Sequence, residues 1–331
     1  MRVLIKGDGA AAYCCAHLLT KACCDVHLQI TDRARVPAIM LSDAAVDLMR
    51  DVFERPDLFH TAPRIHKRVA SWGNAEPAEV EHSAIVVSEQ EILHELRPKA
   101  SISNDAPDAA ITIYTSLPLP STVVEKRFGS RTAWALPVHL KADVSSSCCW
   151  IEALEDGWLF LIPDGRGSAW LLAVGAQAEQ LLAQSRIVSN RISGYDGRGP
   201  QFPAGPRVLS SLCGAGWLAC GSAAMAFDPI CGDGTAHAIR EAILAAAVVR
   251  AIRDGGNREE LFEHYQMRLL SGFQRHLRFC VGFYKSGFCG PWWRRETQAL
   301  TEGLEWCARR IEQKPTFRFQ LRGFDLQPVR Q

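Results

Sequence analysis

The strongest constraint on how this chain can fold is a glycine-rich turn that follows its first apolar run directly. Val3-Leu4-Ile5-Lys6 leads into Gly7-Asp8-Gly9-Ala10-Ala11-Ala12, and a helical segment carrying Cys14 and Cys15 comes next. A strand that turns straight into a helix brings peptide N–H groups and the positive end of a helix dipole to one point, where a pyrophosphate fits. Gly7 permits the tight turn, and Gly9 lets the main chain approach phosphates with no Cβ in the way. Ala12 takes the third small position, where helix packs on strand, and Ala10 and Ala11 complete the turn. A second apolar segment, Val26 to Ile30, ends at Thr31-Asp32-Arg33, which sets Asp32 about twenty positions beyond the glycines, the spacing of a ribose contact. A dinucleotide site is predicted.

Composition fits an enzyme that handles a small cofactor. With 331 residues, 47% of them apolar, and a formal charge of +1, the chain can bury a substantial core and has no electrostatic reason to seek nucleic acid. Its start lacks the charged leader and long apolar stretch of a secretion signal. The longest helical apolar stretch, Ala242 to Ile252, is too short to span a bilayer and carries Arg250. A cytoplasmic location without membrane contact is therefore expected. The twelve cysteines fall as adjacent pairs (Cys14-Cys15, Cys23-Cys24, Cys148-Cys149) or singly, with no CxxC and no histidine at zinc spacing, so no metal site is expected.

Along the chain the periodicity changes several times. Ser42 to Phe53 reads as a helix closed by Pro56, Glu89 to Leu96 as another ended by Pro98, and Ala110 to Tyr114 as a short strand. Ser147 to Leu154, Trp158 to Ile162 and Ala169 to Val174 alternate as antiparallel strands, joined by the turn sequences Glu155-Asp156-Gly157 and Pro163 to Gly167. Val208 to Cys220 returns to strands, and a long helix from Thr235 to Arg253 stops at Gly255-Gly256. From Arg258 onward the pattern is helical, with Leu261, Tyr265, Leu269, Phe273 and Leu277 every four residues.

Far from the first turn, Trp217-Leu218-Ala219-Cys220-Gly221-Ser222-Ala223-Ala224 runs into Asp228-Pro229-Ile230-Cys231-Gly232-Asp233-Gly234. A dinucleotide site assembled from the first strand and from this late segment implies that the middle sheet is an insertion, and it points to FAD rather than NAD. The fold expected is α/β, a Rossmann-like FAD-binding domain with an inserted antiparallel-sheet substrate domain and a helical C-terminal region. The FAD-binding part is assigned to 1–60, 88–118 and 205–256, the substrate part to 61–87 and 119–204, and the helical part to 257–331.

These segments resemble the FAD-dependent aromatic hydroxylases and, more closely, the tryptophan halogenase-like branch of that superfamily. Gly157-Trp158-Leu159-Phe160-Leu161-Ile162-Pro163 is similar to that branch's GWxWxIP, and Trp217 to Gly234 to its WLAVGDAAxxxDPxSGxG. Tyr284 and Pro291-Trp292-Trp293-Arg294-Arg295 resemble its Y…PFWxxR, and Asp32-Arg33 stands where the family usually has Glu-Arg. The resemblance implies FAD contacts at Gly7, Gly9, Ala10, Ala11, Ala12, Asp32, Arg33, Gly221, Ser222, Asp228, Pro229, Gly232, Gly234 and Thr235. It implies further that Pro229 sits against the flavin ring, with the helix starting at Thr235 aimed at the ring's pyrimidine edge, where a helix dipole stabilises an anionic reduced flavin.

The departures are equally specific. Ser222 replaces the aspartate that holds a ribityl hydroxyl, losing a charge-assisted hydrogen bond worth roughly 1–2 kcal/mol more. Ser88-Glu89 stands where the family has an arginine contact. The interval Leu41 to Trp72 lacks the segment carrying the halogenases' lysine, and His66-Lys67-Arg68 is no substitute, which disfavours halogenation. The Asp-Gly motif of single-component hydroxylases is absent from Ala109 to Ser121, so electrons are expected from a separate flavin reductase.

His237, in the first turn of the flavin helix, is the titratable group nearest the expected ring and the catalytic candidate; packing in that turn is the competing reading. Lys67, His66 and Glu241 rank below it, as charged residues are more often simply solvated. Trp158 and Phe160 read as core, whereas Trp292 and Trp293, after Gly290-Pro291 in an apparent loop, read as a substrate or partner surface. The chain is short for the family, which implies an open site. The expected activity is hydroxylation of an aromatic ring, in particular a tryptophan side chain of a partner protein during tryptophylquinone maturation. Hydroxylation of a free aromatic metabolite, or a degenerate non-catalytic partner-binding role, remain open.

Overall fold

In the computed structural model the described residues are 1–31, 33–73, 75–98, 100–102, 108–119, 123–197, 199–312 and 318–329. The first apolar run forms a strand, Arg2–Lys6, at the middle of a six-stranded sheet. It pairs in parallel with Asp25–Gln29 on one side and Ile111–Tyr114 on the other, with Val3 opposite both Val26 and Ile111. Ile111–Tyr114 is in turn paired in parallel with Trp217–Ala219, the strand of the late segment. Val3 and Ile5 are fully enclosed, as a parallel strand covered on both faces requires.

Seven helices accompany the sheets among the described residues: α1 (Ala10–Lys21), α2 (Asp43–Phe53), α3 (Glu89–Glu95), α4 (Ala178–Gln184), α5 (Gly234–Arg253), α6 (Arg258–Lys285) and α7 (Pro291–Glu312). The two helices that open at the predicted glycine segments, α1 and α5, pack on one another. Cys14 and Cys15 lie at that contact, their thiols donating to the carbonyls of Ile239 and Ala242, so this cysteine pair fills small buried positions. Ser88 begins α3 with a reciprocal capping box to Glu91, which satisfies otherwise orphaned N–H groups. In α5 the run from Ala242 to Val249 is buried on every side, the pattern of a core helix.

The second sheet has nine strands. Its order is Ile192–Tyr195, Thr132–Leu140, Ser168–Gly175, Gly157–Pro163, Cys148–Leu154, Arg64–Ser71, Ala78–Val87 and Ile39–Ser42, with Gln201–Pro203 also paired to Thr132–Leu140. The three alternating segments read from sequence form its centre as antiparallel neighbours. Ile39–Ser42, in the span assigned to the nucleotide part, pairs with Ala78–Val87 in this second sheet; a four-residue apolar run carries no information about its partner. Trp158 and Phe160 face the main core, and Trp150, Leu159 and Leu161 face a smaller core beneath α4. Glu152 fastens that smaller core, accepting from the backbone N–H groups of Arg186 (2.8 Å) and Val188 (3.0 Å) just past α4. Among the described residues no helix is long and apolar enough to cross a membrane.

Candidate functional site

The glycine turn is shaped by close approach. Gly7 has φ +127°, and a Cβ there would lie 2.3 Å from Thr115 Oγ1 and 2.7 Å from Ser116 Oγ, so only glycine fits. Gly9 begins α1 in extended backbone, with no side-chain cap and no acidic residue in the first turn. The leading N–H groups of α1 therefore have no capping side chain and are open to solvent or to an anion. Ala11 and Ala12 are buried, and Ala11 abuts Gly221, where a Cβ would come within 2.8 Å of it.

A cleft of about 300 Å³ opens from this turn, lined by Gly9, Ala10, Ala11, Thr115, Gly221, Ser222, Phe227, Gly234, Thr235 and Glu241. The first turn and the late segment thus meet in one place, as predicted. Ser222 is exposed and donates through Oγ to the Thr115 carbonyl (3.1 Å). Gly232, with φ +60°, and Gly234 have no atom within 4 Å of an added Cβ, and α5 starts behind Asp233 with no side-chain cap. Two uncapped helix N-termini accordingly face the same cleft. Asp32 lies outside the described residues.

Charge on the α1 side is balanced within the protein. Asp8, almost fully buried, pairs with Arg33 (Nε to Oδ1, 3.2 Å) and with Arg35. Arg33 also grips Glu89 through its two terminal guanidinium nitrogens, one at 3.0 Å, and donates to the Asp8 carbonyl at 2.8 Å. Glu89 in turn accepts from the Val36 N–H (2.9 Å). From the Cβ position at Gly9, Arg33 Nη2 is 3.2 Å away and Glu89 Oε1 is 4.0 Å. A carboxylate therefore stands beside the turn that a pyrophosphate would occupy.

Two groups, one that sequence reasoning ranked low and one that it passed over, are central here. Glu241, ranked as a solvated charge, is buried in α5 and accepts from the Gly221 N–H at 2.8 Å. Burial pushes its carboxyl up to about 8, against the opposing pull of that hydrogen bond. The available signal was its place within the apolar run of α5. Arg131, not singled out at all, is fully enclosed and joins Asp228 (2.9 Å) to Glu296 (2.6 Å). Asp228 also accepts from Tyr284 Oη (3.0 Å) and from the Ile230 N–H (3.0 Å), and Trp158 Nε1 donates to Tyr284 Oη at 3.2 Å. Through Asp228 this network ties the turn carrying Pro229 and Gly232 to α6. Lys67 lies on the surface in an ion pair with Glu79 (2.5 Å).

His237 sits in the first turn of α5, stacked on Phe227 with ring centroids 4.2 Å apart. Burial lowers its pKa, opposed by Asp233. Trp292 and Trp293 require a correction. They open α7 instead of forming a loop, and they are 9% and 1% exposed. Trp293 donates through Nε1 to the Leu154 carbonyl (2.8 Å), and both rings pack near Tyr284. Pro291 is well suited to the first position of a helix, so what reads as a loop breaker is a helix start, and the tryptophans behind it turn inward.

No family model matches this sequence, and no curated protein matches it. Solved structures do. The peptidyl tryptophan dihydroxylase QhpG, essential for tryptophylquinone cofactor biogenesis, superposes with a TM-score of 0.71 at 18% identity, over 89% of this chain and 78% of that one. The flavin-dependent halogenase CmlS gives 0.75 at 15% identity, over 94% and 71%. The 2,6-dihydroxypyridine-3-hydroxylase of Arthrobacter nicotinovorans gives 0.66 at 12%, over 88% and 94%. The fold is that of the flavin-dependent halogenases and aromatic hydroxylases. At these identities the likeness concerns the fold, and the expected α/β architecture is borne out.

The residues present fit a flavin dinucleotide at both ends of the cleft. Gly9 and the uncapped start of α1 offer free donors, and Gly232 and Gly234 leave open space beside the uncapped start of α5. The Glu89 carboxylate beside Gly9 opposes a phosphate there.

Proposed function

We propose that this chain is a flavin-dependent monooxygenase that hydroxylates an aromatic ring, with a tryptophan side chain of a partner protein as substrate in the maturation of a tryptophylquinone cofactor. The observation that carries the flavin reading is the convergence of two uncapped helix N-termini on one glycine-lined cleft. The substrate is suggested by likeness to a peptidyl tryptophan dihydroxylase.

In this reading Gly7, Gly9, Ala10, Ala11 and Ala12 hold the pyrophosphate of FAD, while Asp32 and Arg33 hold the adenosine end. Gly221 and Ser222 contact the ribityl chain, and Asp228, Pro229, Gly232, Gly234 and Thr235 shape the site of the ring. When bound, the flavin supplies the activation of oxygen that no amino-acid side chain provides. The protein's part is positioning. The Arg131–Asp228 pair fixes the Pro229 turn, and Glu241, mainly protonated at neutral pH, keeps a negative charge out of the cleft. His237 is the group proposed to handle a proton. Electrons come from a separate flavin reductase.

The visible spectrum of the purified protein, before and after incubation with FAD and removal of the excess, tests the cofactor. Retained flavin, followed by reductase-dependent oxygen uptake and gain of oxygen by a tryptophan-containing protein, is the expected result. Oxygen insertion into free aromatic compounds alone would move the substrate to a metabolite. A second reading, a non-catalytic partner-binding protein, is favoured by the Glu89 carboxylate beside Gly9; a colourless protein that takes up no FAD selects it.

A further inference from the structure

Cys231, His276 and Cys280 form the one group of three metal-competent side chains found among the described residues, with their ligand atoms all within 4.8 Å of one another. Two come from α6, four residues apart and hence on one face of the helix; the third comes from the Pro229–Cys231 turn, between Asp228 and Gly232. The sulfurs are 3.9 Å apart, and Cys280 Sγ lies 3.3 Å from His276 Nε2. A tetrahedral zinc ion with ordinary bond lengths sets two sulfurs roughly 3.8 Å apart and a sulfur and a nitrogen roughly 3.5 Å apart. Both measured edges fall close to those values before any metal is added.

The geometry points to a site for a thiophilic divalent cation, zinc in the first instance, held by Cys231, His276 and Cys280. His276 Nε2 accepts from the Asp228 N–H at 2.8 Å, which fixes the neutral ring with Nε2 unprotonated, the form that ligates through that nitrogen. Coordination exchanges this hydrogen bond for an N–metal bond and replaces two S–H bonds by two S–metal bonds, releasing two protons and changing no oxidation state. His276 and Cys280 are buried while Cys231 is partly exposed, so the ion enters from the turn, with the fourth position left to water. Such a site would clasp the turn bordering the cleft to α6. It stands independently of the flavin reading.

The test is titration of the reduced, metal-free full-length protein with cobalt(II) and then zinc(II). Expected are thiolate-to-cobalt absorption saturating at about one equivalent, release of about two protons, displacement of the colour by zinc, and a rise in melting temperature. Cys231→Ser, a change in the turn, abolishes the absorption, whereas the double change Cys23→Ser and Cys289→Ser at exposed positions leaves it intact. Absence of the absorption in the reduced wild type overturns the site, as does its persistence in Cys231→Ser with wild-type far-ultraviolet circular dichroism. Loss of two thiols to a disulfide on air exposure, with no metal uptake by the reduced protein, assigns the cluster to thiol oxidation instead.

Discussion

Glu89 and Arg33 meet in a two-point ion pair directly beside Gly9, at the start of α1. The cation best placed to meet a phosphate is thus already engaged by a carboxylate. A phosphate binding here must share Arg33 with Glu89, at close range and in a partly buried setting where charges are screened less than in water.

Glu89→Gln tests that competition. The amide keeps an acceptor for the Val36 N–H but removes the negative charge, and FAD affinity is expected to rise about fivefold, about 1 kcal/mol. Flavin fluorescence quenching on titration measures it. Weaker binding would show instead that the carboxylate is needed to aim Arg33.

Gly234→Val separates cofactor binding from folding. No atom lies within 4 Å of an added Cβ at this position, and valine is no worse than glycine in a helix. The unfolding free energy is expected to stay within about 0.5 kcal/mol of wild type, while retained flavin is lost as the side chain fills the open space. Unchanged flavin retention would remove Gly234 from the site.

Glu241 makes stability depend on pH. Its folded carboxyl is raised to about 8 from an ordinary 4.5, so between those values the folded state binds more protons than the unfolded one. Stability from this group is fully present below about 4.5, declines as the pH rises, and is lost above about 8. Glu241→Gln retains an acceptor for Gly221 and is expected to gain on the order of 4 kcal/mol over wild type at about pH 8.5, and under about 1 kcal/mol at about pH 5. Urea unfolding at the two pH values checks the sign; an equal effect at both would mean the group is not raised.

Arg131→Met is expected to cost about 3–5 kcal/mol, because Asp228 and Glu296 are left buried without their cation. Arg2→Ala, which breaks the exposed pair with Asp25, is expected to cost about 0.5 kcal/mol or less. Chemical denaturation of the two variants side by side provides the comparison.

Much of the fold was legible from sequence where the signal is local. The helix read over Ser42 to Phe53 is observed at Asp43–Phe53, and the one starting at Thr235 at Gly234–Arg253. Both have apolar spacing or a breaker that acts within a few residues. Legibility failed where neighbours decide. Pro291 reads equally as a loop residue or a first helical residue, and only the packing of Trp293 against Leu154 and Tyr284 settles it.

By itself, the sequence determined that a strand enters a glycine turn and a helix at each of two distant segments, because the positive φ at Gly7, Gly221 and Gly232 is a backbone conformation that a side chain strains locally. Tertiary structure alone decided that Glu89 faces Gly9, that Glu241 is buried under Gly221, that Arg131 bridges Asp228 and Glu296, and that Cys231 reaches His276 and Cys280. Each is a meeting of residues tens or hundreds of positions apart, and side-chain periodicity says which face of an element is buried but not which partner covers it.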